Sequence, residues 1–247
     1  MHSDQLTINC DMGESFGIWT LGEDHNVMPW IDMANIACGF HASDPNVMSD
    51  TIQLAKQHKV KIGAHPGYLD IQGFGRRSIP HSDKEITNLI LYQVGAIKAL
   101  ADLHGTTVDY IKPHGALYND MMRSTSTFKA IAKAAQVYSL PLMILASADN
   151  SQYLELADGF NVPLLFEAFA DRTYSDNGQL SPRDHPQSVL TNSDDIYYQV
   201  MQIAKYGSVT TVTGQKLDIQ ADTVCIHGDN PYSIACIQKI KQSLTTL

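Results

Sequence analysis

Four histidines of this chain each follow a short apolar run and sit in or beside a turn that carries glycine or proline. They are His41 in Asn35-Ile36-Ala37-Cys38-Gly39-Phe40-His41, His65 in Lys61-Ile62-Gly63-Ala64-His65-Pro66, His114 in Tyr110-Ile111-Lys112-Pro113-His114-Gly115, and His227 in Thr223-Val224-Cys225-Ile226-His227-Gly228-Asp229. A fifth run, from Leu6 to Cys10, ends in carboxylates instead, Asp11 and Glu14. Imidazoles titrate near neutrality and pass protons to and from a substrate. Carboxylates position or deprotonate water once burial raises their pKa, and Glu167 adds a third such group. Lys112, Arg172 and Arg183 are cations able to clamp a carboxylate or phosphoryl group, arginine doing so with two parallel hydrogen bonds. A single loop histidine is most simply a satisfied polar residue. Five polar run-endings, spread from the N-terminal run to Asp229, instead describe one active site gathered from distant segments.

Such a site needs a frame that brings strand ends together. Strand-like runs fall at 5–10, 33–38, 60–64, 109–112, 141–146, 164–169 and 223–227. Between them lie helix-like segments at 45–58, 82–104, 124–138, 150–157, 193–206 and 231–244. The longest shows Ile86, Leu89, Ile90, Val94, Ile97 and Leu100 at helical spacing, and it opens with a Ser82/Glu85 capping box and stops at Gly105. Asp44-Pro45 is an N-cap followed by proline at the first helical position. The stretch Ser208 to Gln220, with Gly214 at its centre, reads as a small hairpin. Strands alternating with helices imply a mainly parallel α/β sheet. About seven repeats imply a single-domain β/α barrel over residues 1–247, possible irregularities included, and roughly 250 residues is a routine size for one.

Composition narrows the partners. A formal net charge of −9 with scattered lysines and arginines argues against a nucleic-acid or anionic-membrane partner, since no basic stripe is available for phosphates. No apolar stretch approaches the length of a transmembrane helix, and Met1 to Gln5 lacks the features of a signal peptide. The cysteines Cys10, Cys38, Cys225 and Cys236 form no C-x-x-C pair, so a zinc ribbon is not indicated. The expectation is a cytoplasmic protein with reduced thiols.

Longer motifs carry more. Asn9-Cys10-Asp11-Met12-Gly13-Glu14-Ser15-Phe16-Gly17, Ala34-Asn35-Ile36-Ala37-Cys38-Gly39-Phe40-His41, Gly63-Ala64-His65-Pro66-Gly67, Gly73-Phe74-Gly75-Arg76-Arg77, Lys112-Pro113-His114-Gly115-Ala116-Leu117-Tyr118-Asn119, Glu167-Ala168-Phe169-Ala170-Asp171-Arg172-Thr173-Tyr174, Leu180-Ser181-Pro182-Arg183 and Cys225-Ile226-His227-Gly228-Asp229 together resemble the LamB/YcsF family over nearly the whole chain. One departure is Ser43 before Asp44, where that family commonly has glycine. The resemblance implies a barrel similar to the glycoside hydrolase/deacetylase type. It also implies a component of an ATP-hydrolysing 5-oxoprolinase, opening 5-oxo-L-proline to L-glutamate with partner subunits B and C.

On that reading Asp11, Glu14, His41, His65, Lys112, His114, Glu167 and His227 are the catalytic candidates. Asn9, Asn35, Arg76, Arg77, Asp171, Arg172, Arg183 and Asp229 are the substrate-binding candidates. The glycine-rich loop from Gly67 to Arg77 is read either as a cradle for an anion or as a loop tied to nearby carboxylates. Tyr118 and Tyr174 are read as packing at the rim. ATP is expected as co-substrate, yet no G-x-x-x-x-G-K-[ST] or dinucleotide fingerprint is present. The phosphorylation is therefore assigned to the partners and the later hydrolysis to this chain. Two alternatives stand beside it. One is a metal-dependent, deacetylase-like amidohydrolase in which Asp11 with His65 and His114 (or His41) holds a divalent ion. The other is a non-catalytic lactam-binding protein.

Overall fold

The apolar runs form parallel strands: β1 (Thr7–Met12), β2 (Met33–Ala37), β3 (Lys61–His65), β4 (Tyr110–Ile111), β5 (Leu142–Leu145), β6 (Leu164–Phe169) and β9 (Thr223–Cys225). In the computed structural model, which describes residues 6–182 and 186–247, they close into a barrel of order β1-β2-β3-β4-β5-β6-β9. β9 pairs with both β1 and β6, which seals the sheet. Runs such as β2, buried at every residue, are what a parallel sheet covered on its outer face requires. Helices α2 (Pro45–His58), α3 (Asp83–Leu103), α5 (Thr125–Tyr138), α6 (Ser151–Asp158), α7 (Ser193–Tyr206) and α8 (Pro231–Thr245) follow the strands. The hairpin lies between α7 and β9 as β7 (Ser208–Thr210) and β8 (Lys216–Asp218). Among the described residues, no helix is long and apolar enough to cross a membrane.

Local signals act as their chemistry dictates. Asp44 accepts from the backbone of Asn46 and Val47, and both halves of the Ser82/Glu85 box are formed. Three departures from the sequence reading matter. β4 is only two residues long, because Pro113 has no N–H to continue a ladder. Helix α4 (Gly115–Arg123) begins directly at the turn after His114, where only a turn was expected. Gly115 makes that start possible: its φ is +55°, and a Cβ there would lie 2.6 Å from the Gly75 carbonyl oxygen. A short helix, α1 (Asp24–Val27), and a 3-10 turn at Met28–Trp30 also arise in a stretch read as loop.

Inside the barrel, side chains stack in layers. At the bottom Met33, Tyr110 and Met143 cluster with Leu165. Gly63 makes room for the Tyr110 ring, which a Cβ would meet at 2.2 Å. Above lies an amide layer. Tyr110 Oη donates to Asn35 Oδ1 at 2.6 Å, Asn35 Nδ2 donates to Asn9 Oδ1 at 2.8 Å, and Asn9 Nδ2 donates to Thr223 Oγ1 at 3.0 Å. The next layer, at the C-terminal ends of the strands, is charged.

Candidate active site

Lys112 stands at the centre of that charged layer. Its Nζ lies 2.8 Å from Asp11 Oδ1 and 2.7 Å from Glu167 Oε1, with Cys225 Sγ at 3.3 Å and the Phe169 ring centroid 5.6 Å from the cation. Burial alone would lower the lysine's pKa. Asp11, Cys225 and Glu167 outweigh it and hold the ammonium well above its ordinary value. Burial would likewise raise Asp11, but His65 and Lys112 hold that carboxyl well below the usual range. The centre is a fixed charge triad, oriented from beneath by Asn35, whose Nδ2 donates to Asp11 Oδ1 at 2.8 Å.

Beside it stands a wall of imidazoles. His65 Nδ1 contacts the Lys112 carbonyl oxygen at 2.7 Å, and His114 Nε2 contacts that of Phe74 at 2.8 Å. Their other nitrogens face each other at 2.9 Å. Glu14 Oε1 lies 3.6 Å from His114 Nδ1, and Asp11 Oδ2 lies 3.4 Å from His65 Nε2. His41 stacks flat on His114, centroids 3.6 Å apart and planes 2° from parallel. Burial, with the neighbouring imidazoles, pushes His41 and His114 well below the ordinary histidine pKa, so both rings are neutral. Burial, then Asp11 and Asp229, pushes Glu14 well up.

Across the cleft, His227 Nδ1 meets Asp171 Oδ1 at 2.8 Å. Asn230 Nδ2 donates to the other Asp171 oxygen at 3.1 Å. Burial would raise Asp171, but His227 and its hydrogen bonds keep it below the usual range. A carboxylate that holds one imidazole nitrogen fixes the ring's tautomer and leaves the other nitrogen for substrate.

The cleft between these groups has a volume of about 610 Å³ with its open mouth and is lined by Asp11, Glu14, His65, Lys112, His114 and His227, with Arg76, Arg172 and Asp229 around them. The remaining candidates sit elsewhere. Asn9 and Asn35, expected at the substrate, are fully buried beneath the charged layer, since the strand alternation that turns Asp11 to the top puts Asn9 one layer down. Asp171, expected at the substrate, is buried, holds His227 and Asn230, and lies outside the cleft lining. His41 lies behind His114, away from the cleft lining. Arg76 faces Asp229 at 3.6 Å on the rim.

Arg77 is ion-paired with Asp70 and lies outside the cleft lining. In the loop from Gly67 to Arg77, Gly73 N donates to Asp70 Oδ1, Gly75 N to the Asp70 carbonyl and Arg76 N to that of Gly73, while Gly67 N donates to Gln93 Oε1 and Asp70 N to the Phe40 carbonyl. The anion it cradles is its own Asp70. Arg183 lies outside the described residues. Tyr174 is fully buried, its hydroxyl accepting from Phe169 N at 2.8 Å, and Tyr118 lines the cleft beside Glu167. Neither is a rim residue. Cys225 and Phe169, which touch the Lys112 ammonium, escaped the sequence reading. Their signal was alternation: 165, 167 and 169, like 223, 225 and 227, share one face of a strand.

Among the described residues, two sets bring metal-ligating atoms within 4.8 Å of one another: Glu14, His41, His65 and His114, and Asp11, Cys225 and His227. In the second, the Lys112 ammonium stands 2.8 Å from Asp11 Oδ1 and 3.3 Å from Cys225 Sγ, a positive charge that opposes a second cation there. The first has three imidazoles and a carboxyl group, a donor set that suits a divalent ion.

A closed parallel barrel with buried acid–base groups at the C-terminal strand ends defines a β/α-barrel protein with an enzyme-type cleft. More particularly, the chain belongs to the LamB/YcsF family, whose model matches residues 6–247. It is 58% identical over 247 residues to a Vibrio vulnificus protein that bears the name of the A subunit of 5-oxoprolinase, covering 100% of both chains. A Pseudomonas fluorescens protein of the same name is 48% identical, with 97% of each covered. The crystal structure of a lactam utilization protein from Thermus thermophilus superposes with a TM-score of 0.90 at 35% identity, covering 98% of this chain and 97% of that one.

Proposed function

We propose that this chain is the lactam-opening component of an ATP-dependent 5-oxoprolinase, working in the cytoplasm on 5-oxo-L-proline with partner subunits B and C. The observation that carries the reading is the cleft itself. An acid–base wall of Glu14, His65 and His114 faces the Asp171-oriented His227, and the buried Lys112 lies between them. A five-membered lactam is a poor electrophile, so it must be activated. ATP supplies the activation by phosphorylating the lactam oxygen on the partners, since this sequence carries no phosphate-binding loop of its own.

On the activated ring the wall takes a proton from water, whose oxygen bonds to the lactam carbon. The ring C–N bond then breaks, its electron pair staying on nitrogen, which takes a proton from His227. The product of that step is an open-chain acyl phosphate, and a second water releases phosphate to leave L-glutamate. Lys112 stabilises the negative charge that develops on the carbon's oxygen substituents. Arg76 and Arg172 line the cleft and are the cations it offers to the substrate carboxylate. An ion held by the imidazole wall would add Lewis acidity to the attacking water.

The test is reconstitution. The purified chain alone neither hydrolyses ATP nor converts 5-oxo-L-proline, and gains both activities on mixing with its partners. Turnover by the single chain would overturn the division of labour, and full activity of a reconstituted His227→Ala complex would overturn the role of this cleft.

A further inference from the structure

We propose that Glu14, His65 and His114 form a binding site for one divalent transition-metal ion of the zinc type. Protons decide the matter first. A backbone carbonyl only accepts hydrogen bonds. His65 Nδ1, on the Lys112 carbonyl, and His114 Nε2, on the Phe74 carbonyl, must therefore each carry a hydrogen. In neutral rings the nitrogens left over, His65 Nε2 and His114 Nδ1, then present lone pairs, and these face each other at 2.9 Å. Two lone pairs at that distance repel unless a positive charge joins them. The Lys112 ammonium is not that charge, since it is engaged by Asp11 and Glu167.

A shared proton would answer for the two nitrogens and leave the third donor, Glu14 Oε1, with one long contact, His41 Nε2 at 3.4 Å. Glu14 Oε1 stands 3.6 Å from His114 Nδ1, too far for a hydrogen bond. An ion with bonds of about 2.1 Å to nitrogen and oxygen sets its ligands roughly 3.0–3.6 Å apart at angles of about 90–120°. The separations of 2.9 and 3.6 Å match that spacing. The hydrogen bonds made by the far ring nitrogens agree as well. An imidazole that ligates a metal characteristically gives its far N–H to a backbone carbonyl or carboxylate, and His65 and His114 both do.

His41 is not a fourth ligand. Its ring lies parallel to His114, so no point lies in both ring planes, where imidazole lone pairs bind. Its Nδ1 also has no hydrogen-bond partner among the described residues. Glu14, His65 and His114 all line the cleft, and His41 does not, so the three-ligand site leaves a coordination position open to water or substrate. The carboxylate is Glu14: Asp11, the carboxylate of the metal alternative read from sequence, has Oδ1 on Lys112 Nζ at 2.8 Å and borders His65 with Oδ2 at 3.4 Å, and its ligand atoms group with Cys225 and His227 instead of with His114. Imidazole with carboxylate favours zinc, cobalt or manganese over magnesium.

The site rests on this geometry; its use in water activation rests on the lactam-opening reading. The test uses the full untagged chain, stripped with a chelator, without substrate, ATP or partners. Zinc is added in calorimetry and cobalt in absorption. One equivalent of either binds the parent, and X-ray absorption of the zinc form shows two imidazoles and a carboxylate. His65→Gln and Glu14→Gln each weaken binding by about 100-fold or more, while circular dichroism and a cooperative melt confirm that they fold. If a variant does not fold, zinc-induced thermal stabilisation of the parent together with the absorption spectrum decides. No stoichiometric binding by the folded parent, or unchanged affinity in the folded variants, overturns the proposal. A reconstituted complex fully active without metal would remove the ion's catalytic use and leave the lactam-opening reading intact. An ion bound as described in a complex that opens no lactam would do the reverse.

Discussion

Replacing Lys112 by methionine tests how the charged layer is held. The ammonium is almost fully buried between two carboxylates, at 2.8 Å from Asp11 and 2.7 Å from Glu167, and Glu167 has no solvent exposure. Removing one partner of a buried pair costs about 3–5 kcal/mol, mostly for the stranded charge. Here one lysine serves two carboxylates, so Lys112→Met belongs at the upper end, about 4–5 kcal/mol. For a chain of this size each kcal/mol shifts Tm by about 2–4 °C, giving a fall of about 8–20 °C. Glu167→Gln leaves the Lys112–Asp11 pair in place and should cost less, about 1–3 kcal/mol. Combined with Lys112→Met it strands one carboxylate instead of two. The double variant should therefore be more stable than the sum of the single losses by about 1–3 kcal/mol. Urea denaturation followed by circular dichroism, with unchanged m-values, measures all four proteins. A Lys112→Met loss below about 1 kcal/mol, or strict additivity in the double variant, would refute this account of the layer.

Ser43 adopts φ +75°, a conformation that favours glycine, so Ser43→Gly should raise stability by about 1 kcal/mol in thermal melts; an unchanged or lower Tm would count against strain there. Asp171→Asn removes the group that fixes His227, and should lower kcat of the reconstituted complex by about 10²–10⁴ with KM little changed; a change confined to KM would show that Asp171 serves binding. The same substitution should flatten the acid limb of the stability curve. Because Asp171 has a depressed folded pKa, its contribution is present above the unfolded value of about 3.9 and is lost as pH falls through the lower folded value. Parallel acid limbs in the two proteins would contradict this. All four cysteines are buried thiols, with burial pushing Cys38 up to about 12 and Cys236 to about 11. Iodoacetamide at pH 8 should label none in the native chain and all in urea, as mass spectrometry would record; rapid native labelling would falsify that burial.

Much of the barrel was legible because strand and helix periods differ and caps mark the changes. Asp44, Ser82 and Asn192 each stand where a helix begins and accept from its first N–H groups, so α2, α3 and α7 could be read within a residue or so. What escaped notice had no such mark. Helix α4 lacks a side-chain cap; it is fixed by tertiary contact, with Ala116 N donating to the Gly75 carbonyl at 2.9 Å. A turn so close to the strand end gave no local hint that a helix would dock there. The glycines of the 67–77 loop were equally ambiguous. Free N–H groups would bind an outside anion, but Asp70, within the same loop, accepts from those of Gly73 and Gly75.

The site was legible as a set of residues but not as a set of roles, and alternation explains why. On β1, Asn9 and Asp11 share the inner face; on β4 and beyond, Tyr110, Lys112 and His114 do; on β6, Leu165, Glu167 and Phe169. Reading outward along each series passes from the apolar plug through the amide layer to the charged layer and the cleft. Depth in the barrel therefore decides role. Asn9 and Asn35 orient Asp11, whose charge holds Lys112, and the His65–His114 wall borders the same carboxylate. A residue's type places it in the chemistry, but its position in that inward series decides whether it meets substrate or holds the residue that does. Asn35→Ala separates the two roles. Asn35 does not line the cleft, and the substitution removes three side-chain hydrogen bonds, those with Tyr110, Asn9 and Asp11. If depth sets role, the reconstituted complex should lose kcat through a loosened Asp11 while KM for 5-oxo-L-proline holds; a KM effect alone would place Asn35 at the substrate after all.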